Sequence, residues 1–228
     1  MKKLICCILA AALTACLVLT VAAAEVTACT VTAESVPAIA GGTVTVPIRI
    51  SGGTGFTNFG IALDYDRDAL TLTAIDVDED SLLNGAAVSA NAGWTGADGE
   101  TYGYLTCASP EKITGDGLLF TATFQVGDGV TGSVSVTPVV HYVRNNTALF
   151  SVFEEIPANA VSAELSVIRM GDVNQDGEVD VIDALMAYRA YRGVLVLSDA
   201  QETAADLNQD GEIDVLDALL IYRIYRGV

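Results

Sequence analysis

The chain has 228 residues, of which 29 are acidic and 11 basic, and its formal net charge is −18. So acidic a composition excludes the basic surface by which proteins bind nucleic acid or anionic membranes. The hydrophobic content of 51% is too high for a disordered acidic chain, and the length is sufficient for one large or two modest domains.

The N-terminus has the pattern of an export signal. Two lysines precede an apolar run from Leu4 to Val21, and three alanines follow it, which predicts a signal peptide over residues 1–24 and a secreted protein. A lipoprotein signal is the alternative, because the motif Leu-Thr-Ala-Cys ends at Cys16. Ordinary secretion is favoured, since mostly apolar residues follow Cys16 where a mature surface protein usually becomes polar. Removal of the signal leaves Cys29 and Cys107, so at most one disulfide is open to the mature chain.

Residues 25–168 have the pattern of short β-strands. They are rich in Val, Thr, Ala and Gly, and apolar residues recur at every second position in three clear runs. Glycine-containing turns separate about nine short strands, which predicts an all-β sandwich rather than alternating strands and helices. The alternating apolar residues are Val44, Val46, Ile48 and Ile50 in the first run, Phe59, Ile61, Leu63 and Tyr65 in the second, and Leu118, Phe120, Ala122, Phe124 and Val126 in the third.

An internal repeat with a spacing of 34 residues follows the predicted sandwich. DVNQDGEVDVIDALMAYRAYRGV begins at Asp172, DLNQDGEIDVLDALLIYRIYRGV begins at Asp206, and the two copies are identical at 17 of 23 positions. All six differences exchange one apolar residue for another.

Each copy opens with a twelve-residue loop of the pattern D-x-N-x-D-G-x-x-D-x-x-D. Oxygen ligands at alternate positions, a glycine at position 6 and a carboxylate at position 12 are what Ca²⁺ requires of one short segment. Four carboxylates converging without a cation would repel one another, so two calcium ions are expected. The predicted ligands are Asp172, Asn174, Asp176, Asp180, Asp183 and the Glu178 carbonyl for the first ion, and Asp206, Asn208, Asp210, Asp214, Asp217 and the Glu212 carbonyl for the second.

A helix is predicted after each loop, over about Val181 to Arg192 and Val215 to Arg226, with a glycine closing each one. Met170 and Gly171 leave no room for a helix before the first loop, and the repeat therefore differs from a standard EF-hand. Residues 170–228, with two loop-plus-helix copies and Tyr-Arg-x-Tyr-Arg-Gly ends, resemble the dockerin module of cellulosome-type assemblies.

The upstream segment resembles a cohesin, the module that dockerins bind. The resemblance is carried by GGTVTVPIRISGGTGFTNFGIALDYDRDALTLTAI and by Ile-Thr-Gly-Asp-Gly followed by LLFTATFQV, and it spans about residues 27–168. It implies a jelly-roll sandwich of nine strands that recognises dockerin helices with a flat face. Two modules are therefore predicted, a cohesin-like sandwich over 25–168 and a small all-α dockerin over 169–228.

The resemblance also implies partner-binding residues. Many cohesins carry Asn and Asp two residues apart on the recognition strand; here Asn58 matches the first, but the second position is Gly60. Many dockerins carry a Ser-Thr pair near the end of each loop, where this chain has Val181-Ile182 and Val215-Leu216. These apolar pairs either contact a partner or belong to the dockerin's own core. The predicted dockerin contacts are Val181, Ile182, Tyr188 and Arg189 in the first repeat and Val215, Leu216, Tyr222 and Arg223 in the second.

No catalytic site is predicted. His141 is the only histidine and has no cysteine beside it, so a position on a strand surface is favoured over a zinc ligand or a general base. Asp64, Asp66 and Asp68 alternate, but they lack the turn glycine of a calcium loop and include Arg67, which favours a solvated strand end.

The sequence thus predicts a non-catalytic adaptor scaffoldin. Its cohesin would bind the dockerin of a polysaccharide-degrading enzyme or similar protein, and its own dockerin would bind a cohesin on a larger scaffold, outside the cell or at its surface. A carbohydrate-binding sandwich is the alternative, because Trp94, Tyr102 and Tyr104 could stack on sugars. Head-to-tail self-assembly is less favoured, since residues 25–168 have four basic and 17 acidic residues and residues 169–228 have five and 12.

Overall fold

The computed structural model describes residues 27–96, 101–147 and 152–228. The predicted signal peptide lies outside the described residues. Within them, twelve strands are followed by three helices. The strands are β1 (Cys29–Ala33), β2 (Ala38–Ile39), β3 (Thr43–Gly52), β4 (Phe56–Tyr65), β5 (Leu70–Asp76), β6 (Ala87–Thr95), β7 (Thr101–Ile113), β8 (Gly117–Val126), β9 (Gly132–Thr147), β10 (Val152–Glu155), β11 (Ala158–Val161) and β12 (Ala163–Ile168).

The strands form the two sheets of a sandwich, as predicted. One sheet has the order β11-β1-β3-β8-β5, and the other has the order β2-β12-β9-β4-β7-β6 with β10 paired to β9. Twelve strands are found where about nine are predicted, because β2, β10 and β11 have only two to four residues each. Segments this short are too brief to show alternation in the sequence.

Alternation of apolar residues places the core between the sheets. Every second residue of β3 from Val44 to Ile50 is buried, and β8 contributes Phe120 and Phe124 from the same sheet. Phe59, Ile61 and Leu63 of β4 meet them from the other sheet. All three predicted runs are therefore core strands, and β4 lies in the middle of its sheet between β9 and β7.

The C-terminal segment has its own small core. Its helices are α1 (Val181–Tyr191), α2 (Asp199–Ala205) and α3 (Val215–Arg226), and α1 packs against α3. Ala187 of α1 and Ile221 of α3 are fully buried, together with Val173 from the first loop. This core is separate from that of the sandwich. None of the helices in the described residues is long and apolar enough to cross a membrane.

The structure corrects one expectation about the helices. A short helix, α2, directly precedes the second loop, whereas only outgoing helices are predicted. Trp94, one of the candidate sugar-stacking residues, lies in strand β6. Cys29 and Cys107, for which a disulfide was left open, are both buried free thiols.

Candidate functional site

The first predicted calcium loop is folded around the carboxylate of Asp172. Its Oδ1 accepts a hydrogen bond from the backbone N–H of Asp176 at 3.1 Å, and its Oδ2 accepts one from Gly177 at 2.9 Å. The chain can turn this tightly because Gln175 and Gly177 have left-handed backbone angles, with φ of 62° and 93°. The sequence places a glycine at the second of these positions for this reason.

Asp183 closes the same loop from the first turn of α1. Its Oδ1 accepts the backbone N–H of Asn174 at 2.9 Å, and its Oδ2 accepts that of Asp180 at 2.8 Å. Asp180 is the N-cap of α1 and accepts the N–H of Ile182 at 2.6 Å. Because the helix begins directly after position 9, the short aspartate at position 12 reaches across the loop.

The second loop repeats this geometry almost atom for atom. Asp206 accepts N–H groups from Asp210 and Gly211 at 3.2 and 2.9 Å. Asp217 accepts those of Asn208 and Asp214 at 3.2 and 2.9 Å. Both N-cap residues have the same φ of −134° and ψ of −169°. The repeat in the sequence is therefore a repeat in structure.

The donor chemistry of both loops fits calcium. Asp183 and Asp217 are fully buried carboxylates whose hydrogen-bond donors are backbone amides. No ion pair between described residues involves a loop carboxylate. Paired negative groups without a neutralising side chain are costly to bury, and a hard cation would offset that cost.

No group of three or more His, Cys, Asp or Glu side chains in the described ranges is gathered as a ready metal cluster. Each predicted ligand set also contains an asparagine side chain and a backbone carbonyl, which are not among these four residue types. Asn174 and Asn208 each donate instead to an aspartate of their own loop, at 2.7 Å in both cases. The twelve-member ligand set remains a prediction.

The predicted dockerin contacts form two equivalent apolar surfaces on α1 and α3. Val181, Ile182 and Tyr188 are exposed, as are their counterparts Val215, Leu216 and Tyr222, each to between 39% and 55%. None of them belongs to the buried cluster between the helices. The alternative that these apolar pairs serve the dockerin's own core therefore fails, although their role in binding remains a prediction. The predicted Arg189 and Arg223 are exposed beside them.

The exposed surface is larger than the sequence reasoning proposed. Leu185 and Leu219, at 45% and 44%, and Tyr191 and Tyr225, both at 49%, extend the two surfaces. The spacing of Val181, Leu185 and Tyr188 at i, i+4 and i+7 is the signal that could have identified them.

Asn58, the predicted contact on the sandwich, lies in β4 opposite Arg144 of β9 and Ala108 of β7. It is half-buried, and its Nδ2 donates to the Oγ1 of Thr57 at 2.9 Å. The strand is thus central and its outer face is open to a partner at this residue.

The outer face of the same sheet carries an aromatic cluster. The ring centroid of Trp94 lies 5.1 Å from that of Tyr104 and 5.9 Å from that of Tyr102. The His141 ring is steeply inclined to those of Trp94 and Tyr104, with centroid distances of 6.3 and 5.6 Å. His141 is exposed on β9, as expected for a strand surface, and Asp64, Asp66 and Asp68 are exposed at the end of β4. The structure therefore brings together the three candidate sugar-stacking residues.

The fold and both loops agree with comparisons to known protein families. The cohesin domain model matches residues 29–148, just over half of the chain. The chain belongs to the cohesin family. The dockerin type I domain model matches residues 170–224. The sandwich is therefore a cohesin module and the segment with α1, α2 and α3 a dockerin module, and both are non-catalytic interaction modules whose partners are each other's family.

Solved cohesins share the fold of the sandwich. The seventh ScaB type I cohesin from Pseudobacteroides cellulosolvens is 20% identical, with a TM-score of 0.52, and the match covers 63% of this chain and 94% of that one. A type I cohesin–dockerin complex from Clostridium thermocellum contains a chain that is 15% identical, with a TM-score of 0.50, and 62% and 99% are covered. A search of curated proteins finds no match.

Proposed function

We propose that the protein is an adaptor scaffoldin that links two partners. Its cohesin module binds the dockerin of a polysaccharide-degrading enzyme or a similar protein, and its dockerin module binds a cohesin on a larger scaffold. The observation that carries this function is the presence of both halves of one recognition system in a single chain. Because the cohesin module and the dockerin module bind different partners, the chain can connect one protein to a larger scaffold.

Calcium belongs to the same proposal. Type I dockerin modules bind calcium, and the two equivalent loops of this chain support one ion each, held by the predicted ligands of each loop. When bound, the ion would neutralise part of the negative charge of the loop carboxylates that coordinate it. Asp172, Asp183, Asp206 and Asp217 would then orient α1 and α3, since their carboxylates already fix the loop backbone that starts each helix.

Secretion through residues 1–24 belongs to the same proposal, because cellulosome-type scaffold modules are extracellular. The acidic charge of both modules disfavours pairing between two copies of this chain, so separate partners are proposed for each module.

Affinity capture from culture fluid tests this function. The full chain without residues 1–24 is immobilised in calcium, and the retained proteins are identified by mass spectrometry. We expect dockerin-bearing proteins and cohesin-bearing proteins, the former reduced by Asn58→Ala and the latter removed by Asp183→Asn combined with Asp217→Asn. A chelator should remove both classes, because the dockerins of the captured proteins also depend on calcium. Capture of neither class would contradict an adaptor role.

Carbohydrate binding remains a second candidate because Trp94, Tyr102 and Tyr104 are clustered on one face. Aromatic rings with an apolar body and a polar edge suit stacking on sugars. Retention of the chain on cellulose, starch or xylan without any dockerin-bearing partner would favour this candidate over the adaptor.

A further inference from the structure

The sandwich and the dockerin module meet at a junction of three residues. Strand β12 ends at Ile168 and the first loop begins at Asp172, so only Arg169, Met170 and Gly171 lie between them. Flexible linkers between modules are longer runs rich in glycine and serine, and this junction contains a single glycine. So short a connection leaves the dockerin module little freedom to move away from the sandwich.

Backbone hydrogen bonds hold both ends of the junction. On the sandwich side, the carbonyl of Ile168 accepts the N–H of Ala40, next to strand β2, at 2.9 Å. On the dockerin side, the N–H of Gly171 donates to the carbonyl of Ala204 in α2 at 2.8 Å. Only two residues therefore separate a backbone position bonded to the sandwich from one bonded to the dockerin module.

Gly171 also fits closely against both calcium loops. Its φ of 89° lies in the left-handed region, which favours glycine. A Cβ at this position would lie 3.2 Å from Cγ1 of Val179 in the first loop and 3.8 Å from Cδ1 of Leu207 in the second. Rotation of the backbone at the end of the junction would therefore disturb both loops.

The Arg169 side chain connects the junction to the first loop a second time. Its Nη1 donates to the carbonyl of Gly177 at 2.6 Å. Gly177 is position 6 of the loop, and its own N–H donates to the carboxylate of Asp172. The guanidinium is positively charged and the loop carries four aspartates, so electrostatic attraction adds to the hydrogen bond.

The second repeat differs at the equivalent position. Thr203 lies 34 residues after Arg169, and its hydroxyl donates within α2 to the carbonyl of Asp199 at 2.9 Å. Arg169 is thus not part of the duplicated pattern. It belongs to the junction, where it contacts the loop that follows the sandwich directly.

Clefts on both sides of the junction make these hydrogen bonds decisive for the orientation of the dockerin module. One cleft, of about 570 Å³, lies between Gly132 at the start of β9 and Asp176 of the first loop. Another, of about 610 Å³, lies between Ile39 of β2 and Gln209 of the second loop. Because the two modules are not closely packed at these places, the junction and Arg169 determine their relative orientation.

We propose that Arg169 and the three-residue junction hold the dockerin module in one fixed orientation on the sandwich for as long as calcium keeps the first loop folded. The surface around Asn58 and the exposed surfaces of α1 and α3 then keep a constant distance and angle. This orientation is a property of the chain itself, whereas its consequence, two partners held at a defined spacing, rests on the proposed function.

Backbone ¹⁵N relaxation of the full chain without residues 1–24, recorded in calcium, tests the proposal. The amides of both modules should give one rotational correlation time, as expected of a single rigid body. A reference variant has Gly-Ser-Gly-Ser inserted between Ile168 and Arg169, and its dockerin amides should give a correlation time shorter by about one third or more, because such a linker is flexible. Arg169→Ala should shift the dockerin amides toward the reference while the helical circular dichroism in calcium is retained.

Arg49→Ala is the matched control. Arg49 is an exposed arginine of β3, in the sheet that does not contain β12, and its Nε lies 2.7 Å from the Glu34 carboxylate. The change removes the same charge and one short polar contact, and the control should keep a single correlation time. If Arg169→Ala does not fold, the comparison of the unchanged chain with the reference variant still decides whether the orientation is fixed.

Two results would overturn the proposal. Separate correlation times for the two modules of the unchanged chain would contradict a fixed orientation, and a single correlation time in Arg169→Ala would remove this side chain from the mechanism. Both results would leave the adaptor role intact, because capture of the two classes of partner does not require a fixed orientation. Helicity that is indifferent to calcium would instead contradict the proposed calcium sites and, with them, the calcium dependence of the orientation.

Discussion

Asp183 belongs both to the first loop and to the first turn of α1. It is the third residue of α1 and completes the capping box with Asp180, and it is also the predicted twelfth ligand of the first loop. Both its oxygens accept loop amides while it is fully buried. Charge at this position therefore serves the loop and the helix together.

Asp183→Asn should lower both calcium affinity and the stability of the dockerin module. The amide replaces one acceptor oxygen by a donor, which leaves a loop N–H unpaired at a cost of about 1–3 kcal/mol and removes a negative ligand. Isothermal titration calorimetry and thermal circular dichroism measure the two effects. Glu178→Gln is the control, because Glu178 is exposed and is expected to contribute only its carbonyl. Equal losses in the two variants would remove Asp183 from the ligand set.

The thiols of Cys29 and Cys107 should be unreactive in the folded protein. Burial raises the pKa of Cys107 to about 11 and also raises that of Cys29. At pH 8, only about one part in a thousand of Cys107 would be thiolate, the reactive form. A thiol-reactive dye should label neither cysteine in the chain without residues 1–24 until a denaturant is added. Rapid labelling of the native protein would contradict the buried positions.

Local patterns in the sequence predict the calcium loops, whereas the aromatic cluster on the sandwich depends on the register between strands. Asp172 and Asp183 belong to one short segment, so their roles follow from spacing alone. Trp94 and His141 are distant in sequence and meet only because β6 pairs with β7, β7 with β4 and β4 with β9. A bulge in β9 between the partners of Gly60 and Ile61 further shifts which residues face outward. Such a shift cannot be derived from alternation in one strand.

Among the elements, the duplicated helices α1 and α3 present nearly the same exposed side chains. The exposed fractions of corresponding side chains are nearly equal, as for Leu185 and Leu219 at 45% and 44%. Short α2 was not predicted because its seven residues are polar and alanine-rich, although Ser198 and Gln201 form the capping-box spacing that marks its start. It makes the second loop more like an EF-hand than the first.

A partner cohesin should be able to bind the dockerin module in either of two orientations. Changing Ile182 and Arg189 to alanine, or Leu216 and Arg223 to alanine, should each cost little because the other helix still offers the same surface. Changing all four should abolish binding to a captured cohesin, as measured by interferometry. If one pair alone removes binding as completely as all four changes, only one repeat contacts the partner.

At the scale of the whole molecule, the two modules have separate cores and should respond differently to calcium. The dockerin module has a small core, and a ligand that binds only the folded form adds about 2.7 kcal/mol at one hundred times its dissociation constant. A chelator should therefore abolish the helical circular dichroism. The sole tryptophan lies in β6, so its fluorescence reports on the sandwich and should remain unchanged. Helicity that survives in the chelator would contradict calcium-dependent folding.

The adaptor role makes one direct demand, which is that both modules be occupied at once. A dockerin-bearing protein obtained by capture is immobilised on a biosensor, and the full chain without residues 1–24 is bound to it in calcium. A captured cohesin-bearing protein is then added, and the increase in bound mass is measured. The account predicts a second, stoichiometric rise for the cohesin-bearing protein, which alone is lost when Asp183→Asn and Asp217→Asn are introduced into the chain. Mutually exclusive binding of the two partners, or no second rise with the unchanged chain, would contradict it.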